Sequence, residues 1–313
     1  MTATEQRPTV PDKTLARHLA RRVFGPVLPY VLHLRPAEWP IVAAHTAVGW
    51  LLAAGIHWPD GRAWLGIGAW VVALNGGTLA LNSAFDRDEG DVAFLHDPPR
   101  PPPHLALFAT VLMAAGLAAT WQLSSGYRGL YVICFAMSVA YSVPPLRLKA
   151  IGGADWVINL LGFGTFSPAA AWAIERHSFG GPRALVLWAF APLFAGLYPL
   201  TQIYQMDEDR ARGDQTFALW LGRHNSLVVA LICTGFGFGM LAMAGWEAGW
   251  RGGAGLLRWG ALALAAAAWL ATLGPWIAEG REWSSGQHQR AMYYALVAWA
   301  LTDVVVLIGW ASL

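Results

Sequence analysis

Charge is scarce in this chain. Of its 313 residues only 13% are Asp, Glu, Lys or Arg, whereas 56% are hydrophobic and the mean hydropathy is +0.42. So few charges cannot clothe a soluble fold of this size, which excludes an ordinary water-soluble globular protein. Cysteine is nearly absent too: Cys134 and Cys233 stand alone inside apolar stretches, where they suggest neither a disulfide framework nor a metal site. The formal net charge is only +2 and the basic residues form no stripe, so nothing points to nucleic acid as a partner. The start of the chain has no n-region, h-region and cleavage-site series, so the first apolar span is expected to be retained. Gly162-Phe163-Gly164 and the glycines at 235–239 lack a preceding strand, which removes the nucleotide-binding reading and leaves close helix contact.

What is present is long apolar runs. A membrane-crossing helix needs about 20 apolar residues, and such stretches fall near 37–57, 63–83, 104–122, 129–144, 154–175, 184–205, 225–246, 255–277 and 291–312. The expected fold class is therefore all-α, a polytopic membrane bundle of nine transmembrane helices. Residues 1–33 are expected to form a basic cytoplasmic segment and residues 34–313 a single transmembrane domain. Within that segment, residues 14–25 suit either a basic amphipathic helix on the inner leaflet or a solvated tail. Trp39, Trp58, Trp64, Trp121, Trp246, Trp250, Trp283 and Trp310 lie near span ends, as an interfacial aromatic belt requires.

Orientation follows from Lys and Arg. With the N-terminus inside, the tail and the loops after spans 2, 4, 6 and 8 hold 15 of the 21 basic residues, against 6 on the other side. The positive-inside rule thus predicts an inner-membrane protein with a cytoplasmic N-terminus.

Two acidic clusters interrupt the apolar pattern, each at the cytoplasmic end of a span. The first holds Asn82, Asp86, Asp88, Glu89 and Asp91; the second holds Gln202, Gln205, Asp207, Glu208 and Asp209, with Asp214 nearby. A carboxylate at the bilayer centre costs roughly 2.5 to 3.5 kcal/mol on insertion scales, so acids packed beside lipid normally mark an ion or substrate site. Asn82 and Asp86 share a helical face, and Gln202, Gln205 and Asp209 have the spacing of another. Clustered hard oxygens suit Mg²⁺ holding a diphosphate. Between the clusters, Pro144 and Pro145 stop a helix and leave Arg147 and Lys149 beside the same mouth. A stiff Pro-rich linker is expected to hold Arg100 near the first cluster. Asp155 and Asn159, four apart, suit either hydrogen bonds to an acceptor or capping and packing between helices, the second being the default reading.

The order Leu34-Arg35-Pro36, Trp39-Pro40, Asn82/Asp86, Arg100-Pro101, the Tyr141 to Lys149 segment and the run from Asp209 through Gly213, Thr216 and Gly222 resembles the UbiA superfamily of intramembrane prenyltransferases. The resemblance spans about residues 34–225. It implies nine helices around a central cavity, with a Mg²⁺-bound isoprenyl diphosphate at the cytoplasmic end and its tail at bilayer level. By position it implies metal ligation by Asn82, Asp86 and Asp209. Two positions depart from the family pattern: the usual next carboxylate falls on Gly90, so Asp88 or Asp91 must substitute, and Gln205 stands where an Asp is usual. Both departures suggest a branch away from the ubiquinone-pathway enzymes.

On that reading Arg100, Arg147 and Lys149, with Asn82, Gln205 and Tyr141, would hold the diphosphate. Tyr141, Tyr198 and Tyr204 would face the allylic cation, and Asp88, Asp91 or the diphosphate itself would take the proton. The acceptor would be an aromatic, a quinone precursor or another lipophilic molecule. The alternatives are a UbiA-type terpene cyclase, a carotenoid elongase and, from another class, an ion or lipid transporter.

Overall fold

A computed structural model of the protein describes residues 21–86, 99–175 and 180–311. Every regular element among the described residues is helical. Nine long helical runs follow one another: α1 (Trp39–Ala54), α2 (Gly61–Asp86), α3 (Leu105–Ala119), α4 (Ser125–Ser142), α5 (154–173), α6 (Gly181–Ile203), α7 (Arg223–Glu247), α8 (Gly252–Glu279) and α9 (Ser285–Trp310). Five of them, α2, α6, α7, α8 and α9, are long and apolar enough to cross a membrane. The other described runs are shorter or more polar. In lipid a helix satisfies its own backbone, which is why Ala- and Leu-rich runs of this length take that form.

The starts are set by side-chain caps. Asp60 accepts a 2.8 Å hydrogen bond from the Ala63 amide at the head of α2, and Ser284 and Gln287 form a reciprocal capping box at α9. Such a cap is worth about 1 kcal/mol. The α4 helix ends at Ser142, just before Pro144 and Pro145. Both α2 and α5 contain a π-helical stretch, Ala69–Asn75 and Leu160–Phe166, a local widening that rotates the helix face.

Burial ranks the helices. In α6 the most apolar window is 72% buried, against 28% in α8, whose Leu256, Leu257 and Leu264 project outward. Exposed leucines are at ease only in hydrocarbon, so the protein is an integral membrane protein with α6 inside the bundle. Small residues let helices meet closely: a Cβ on Gly196 would lie 2.8 Å from the Ala230 carbonyl of α7, and one on Gly164 would lie 2.8 Å from the Phe190 carbonyl of α6. Gly237 is likewise pressed against Leu193, whereas Gly235 and Gly239 face open space. The close-contact expectation therefore holds for some of these glycines only.

Two further expectations change. Trp58, Trp64, Trp121 and Trp246 are exposed as a belt requires, but Trp250 and Trp310 are buried, their rings 4.4 Å apart. A Gly-rich turn folds Trp250 back over Gly245 and Gly255 instead of outward. The short helix Leu28–His33 also packs on the bundle, with His33 fully buried and its Nε2 3.1 Å from the Pro99 carbonyl. The packed part of the chain thus begins before residue 34. Most of the 14–25 segment lies outside the described residues.

Two apolar cores result, one built mainly on α1 to α5 and the other mainly on α6 to α9. Between them runs a cavity of about 440 Å³.

Candidate active site

The end of α2 forms one wall of the cavity mouth. Asn82 and Asp86 point the same way, as their four-residue spacing dictates, and the Lys149 ammonium reaches both: it donates to Asn82 Oδ1 at 2.5 Å and to Asp86 Oδ1. Lys149 is only 7% exposed. Arg147 takes a left-handed backbone conformation, φ 36°, which a non-glycine residue adopts only when its surroundings hold it. Those surroundings are two acids. Its Nη2 donates to Asp86 Oδ1 at 3.2 Å and its Nη1 lies 3.0 Å from Asp214 Oδ1. A single guanidinium therefore ties the first acidic cluster to the second, and both occupy one end of the bundle.

The second wall is built differently from the expectation. Gln202, Gln205 and Asp209 do not share one continuous helix: α6 stops at Ile203, the chain turns through Tyr204 and Gln205, and a short helix resumes at Met206–Arg212. All three still line the cavity. Gln202 is drawn inward by Asp155, a fully buried carboxylate at the start of α5, which accepts from Gln202 Nε2 at 2.8 Å, Tyr198 Oη at 3.3 Å and the Phe217 amide at 3.0 Å. The other end of the Gln202 amide accepts from the Ala218 amide at 3.1 Å. Asp155 thereby pins the loop that carries Asp209, Asp214 and Thr216, a capping and packing role. Asp209 is 4% exposed and accepts from Thr216 Oγ1 at 3.4 Å. Asp207 instead points to solvent and pairs with Arg210 at 2.9 Å, leaving it outside the cavity.

Tyr141, Tyr198 and Tyr204 all line the cavity. The Tyr141 and Tyr198 hydroxyls lie 3.1 Å apart, which joins α4 to α6, and Gln205 Nε2 donates to Tyr204 Oη at 2.8 Å. Burial pushes the Tyr204 phenol up to about 12, so it stays protonated. Arg100 departs from its expected place: it is exposed and does not line the cavity. Tyr30 donates to the Pro103 carbonyl and His33 Nε2 lies 3.1 Å from the Pro99 carbonyl, on either side of Arg100 in the chain. Asp88 and Asp91 lie outside the described residues.

Two cavity residues were passed over as functional candidates. Arg35, 6% exposed, lines the cavity with Nε and Nη2 lacking any hydrogen-bond partner, and its Nη1 is 3.6 Å from Glu38 Oε1. Burial pushes the Glu38 carboxyl up, with Arg35 partly opposing. Their only sequence signal was the Leu34-Arg35-Pro36 motif itself.

The donor set fits a divalent cation shared with an anionic ligand. Asn82 Oδ1 and Asp86 Oδ1 already converge on one cation, the Lys149 ammonium. No group of three acidic, His or Cys side chains able to hold a metal exists among the described residues. A magnesium ion here would therefore complete its shell with phosphate oxygens, as Mg²⁺ commonly does. The partnerless guanidinium N–H groups of Arg35 supply further donors for such an anion.

The pattern of the UbiA prenyltransferase family matches residues 42–276. The lycopene elongase/hydratase of Haloarcula japonica is 30% identical over 132 residues, 41% of this chain and 43% of that relative, so the match spans under half the relative's length. A UbiA homologue from Archaeoglobus fulgidus bound to DMAPP and Mg²⁺ superposes with a TM-score of 0.67 at 18% identity, covering 88% of this chain and 98% of the other. The same homologue bound to GPP and Mg²⁺ gives 0.65 at 16% identity, over 89% and 99%.

Proposed function

The chain belongs to the UbiA prenyltransferase family, and from that premise we propose that it transfers a prenyl group from an isoprenyl diphosphate to a lipophilic acceptor in a Mg²⁺-dependent reaction. The observation that carries this reading is the Arg147 bridge between Asp86 and Asp214, which sets two acidic walls and two cations around one mouth. Relatives solved with DMAPP or GPP and Mg²⁺ support the donor class.

Arg147, Lys149 and Arg35 bind the diphosphate, and Asn82, Asp86, Gln205 and Asp209 hold the metal, with Asp88 or Asp91 completing the set. Mg²⁺ held there would supply positive charge against the leaving diphosphate. The allylic C–O bond breaks with its electron pair going to the diphosphate. Tyr141, Tyr198 and Tyr204 turn electron-rich surface toward the resulting cation, and the apolar walls exclude water. An acceptor π bond then forms the new C–C bond, and a proton leaves to the diphosphate or to an acid at the mouth. Nine membrane crossings, an inner-membrane location and a cytoplasmic N-terminus complete the proposal, supported by the placement of Lys and Arg.

A second acceptor class is favoured by one finding, the partial match to a lycopene elongase/hydratase. A polyene acceptor suits a cavity whose inner wall is apolar. The test is the product mass formed from each donor with phenols, quinone precursors or polyenes. A mass equal to acceptor plus prenyl group, less one hydrogen, supports transfer and names the acceptor. A hydrocarbon formed from the donor alone would reassign the protein to cyclisation.

A further inference from the structure

Deep in the bundle, behind the cavity wall, lies a buried ion-pairing couple that the reaction does not use. His45 on α1 is fully buried, and its Nδ1 sits 3.2 Å from Asp303 Oδ1 on α9. Its Nε2 faces two carbonyls, those of Phe163 and Gly164, each at 3.2 Å. Both carbonyls belong to the π-helical stretch of α5, where the widened turn disturbs the regular backbone ladder. Every partner of this ring is an oxygen.

The ring also holds aromatics. Phe163 stacks on it at 5.1 Å and 15°, and Trp299 meets it edge-on at 4.9 Å. Phe163 and Trp299, with Phe194 lying 4.6 Å from Phe163, line the apolar part of the cavity. At 1.5 Å per residue, Phe163 lies roughly 12 Å along α5 from Asp155. A prenyl tail entering from the charged mouth runs toward these rings.

We propose that His45, held by Asp303, is a positioning residue that fixes the Phe163–Trp299 wall and so sets the longest prenyl chain the cavity accepts. The proposal rests on the prenyltransferase reading above. The hydrogen bonds to the π turn orient Phe163, and Asp303 ties the ring to the helix that carries Trp299. Releasing the ring lets both aromatics relax and lengthens the cavity.

The test compares kcat and KM for diphosphate release from geranyl, farnesyl and geranylgeranyl diphosphate in the wild type and in His45→Ala, His45→Gln and Phe163→Leu. His45→Ala is expected to raise the preference for geranylgeranyl over geranyl diphosphate about tenfold, the scale of apolar-pocket discrimination. The change should appear chiefly in KM. His45→Gln, whose amide still donates to the π-turn carbonyls, should restore the wild-type profile in part. Phe163→Leu shortens the wall while keeping the backbone carbonyls and Asp303 that hold His45, and serves if His45→Ala fails to fold; it should shift preference the same way. An equal loss for all donors, or an unchanged profile in Phe163→Leu, overturns the proposal while leaving the enzyme reading intact. Wild-type protein that releases diphosphate from no donor overturns both.

Discussion

Lys149 and Arg147 differ in exposure, yet both are placed at the mouth to bind the donor. Lys149 is buried against Asn82 and Asp86 and shares the Asp86 carboxylate with Arg147. Arg147 is about a third exposed and spans Asp86 and Asp214. Replacing either by Ala should raise KM for the diphosphate donor about tenfold or more, since a lost charge-assisted contact is worth about 1.5 to 3 kcal/mol; unchanged donor kinetics would reduce them to orientation signals. Asp86→Ala and Asp209→Ala should each lower kcat by about 10² or more, the usual loss when preorganised electrostatics is removed. Near-normal turnover in either would remove that residue from the ligand set. Glu38 predicts a pH effect. Burial raises its folded value above the 4.5 of the unfolded chain, so the folded state holds this proton more tightly. The group supports folding at low pH and costs stability as pH rises through the raised value. The Tm of Glu38→Gln relative to wild type should therefore be higher at pH 7 than at pH 4; an equal difference at both would contradict the burial argument. At this scale Asn82, Asp86 and Asp209 were legible because acids beside apolar runs are conspicuous. Arg35 and Glu38 were not, since only the packed cavity shows that their polar atoms are buried there.

Among elements, the loop from Gly213 to Gly222 depends on one buried carboxylate. Asp155 and Gln202 satisfy the Phe217 and Ala218 amides at the head of the short helix Phe217–Leu221. Asp155→Ala leaves the Phe217 amide and Gln202 Nε2 without their acceptor, at about 1 to 3 kcal/mol for each buried group left unsatisfied. Faster proteolysis between residues 205 and 222, with reduced turnover, is the expected result, and unchanged cleavage would contradict the anchoring role. The α6–α7 contact makes a second prediction: Gly196→Leu has no room beside Ala230 and should destabilise by about 1 to 3 kcal/mol, read as a lower Tm. Helix positions were legible from hydrophobic runs and Pro144. The π-helical stretches and the break at Tyr204 were not, because they arise from packing that apolar periodicity does not encode. The break explains how Gln202 came to face Asp155 while Asp209 kept its place at the mouth.

For the whole molecule, the two cores and the cavity between them join a membrane-embedded interior to one charged end. Composition made the all-helical membrane class legible, and five described helices meet the span criterion. The cavity itself needed the folded chain, since its lining comes from residues as far apart as Arg35 and Trp299. The placement of Lys and Arg predicts that a cysteine introduced at Ser285, on the same end as Tyr204, is labelled from the cytoplasmic side of oriented vesicles; labelling only from the opposite side would invert the topology. The central claim is that this charged end ionises an isoprenyl diphosphate with Mg²⁺. Its most direct test is diphosphate release by the purified protein in detergent, with geranyl, farnesyl and geranylgeranyl diphosphate, an acceptor pool, and either Mg²⁺ or chelator. The account predicts release with at least one donor that stops on chelation and is lost in Asp86→Ala. Release that persists in chelator, or no release and no equilibrium binding of any donor, would contradict it.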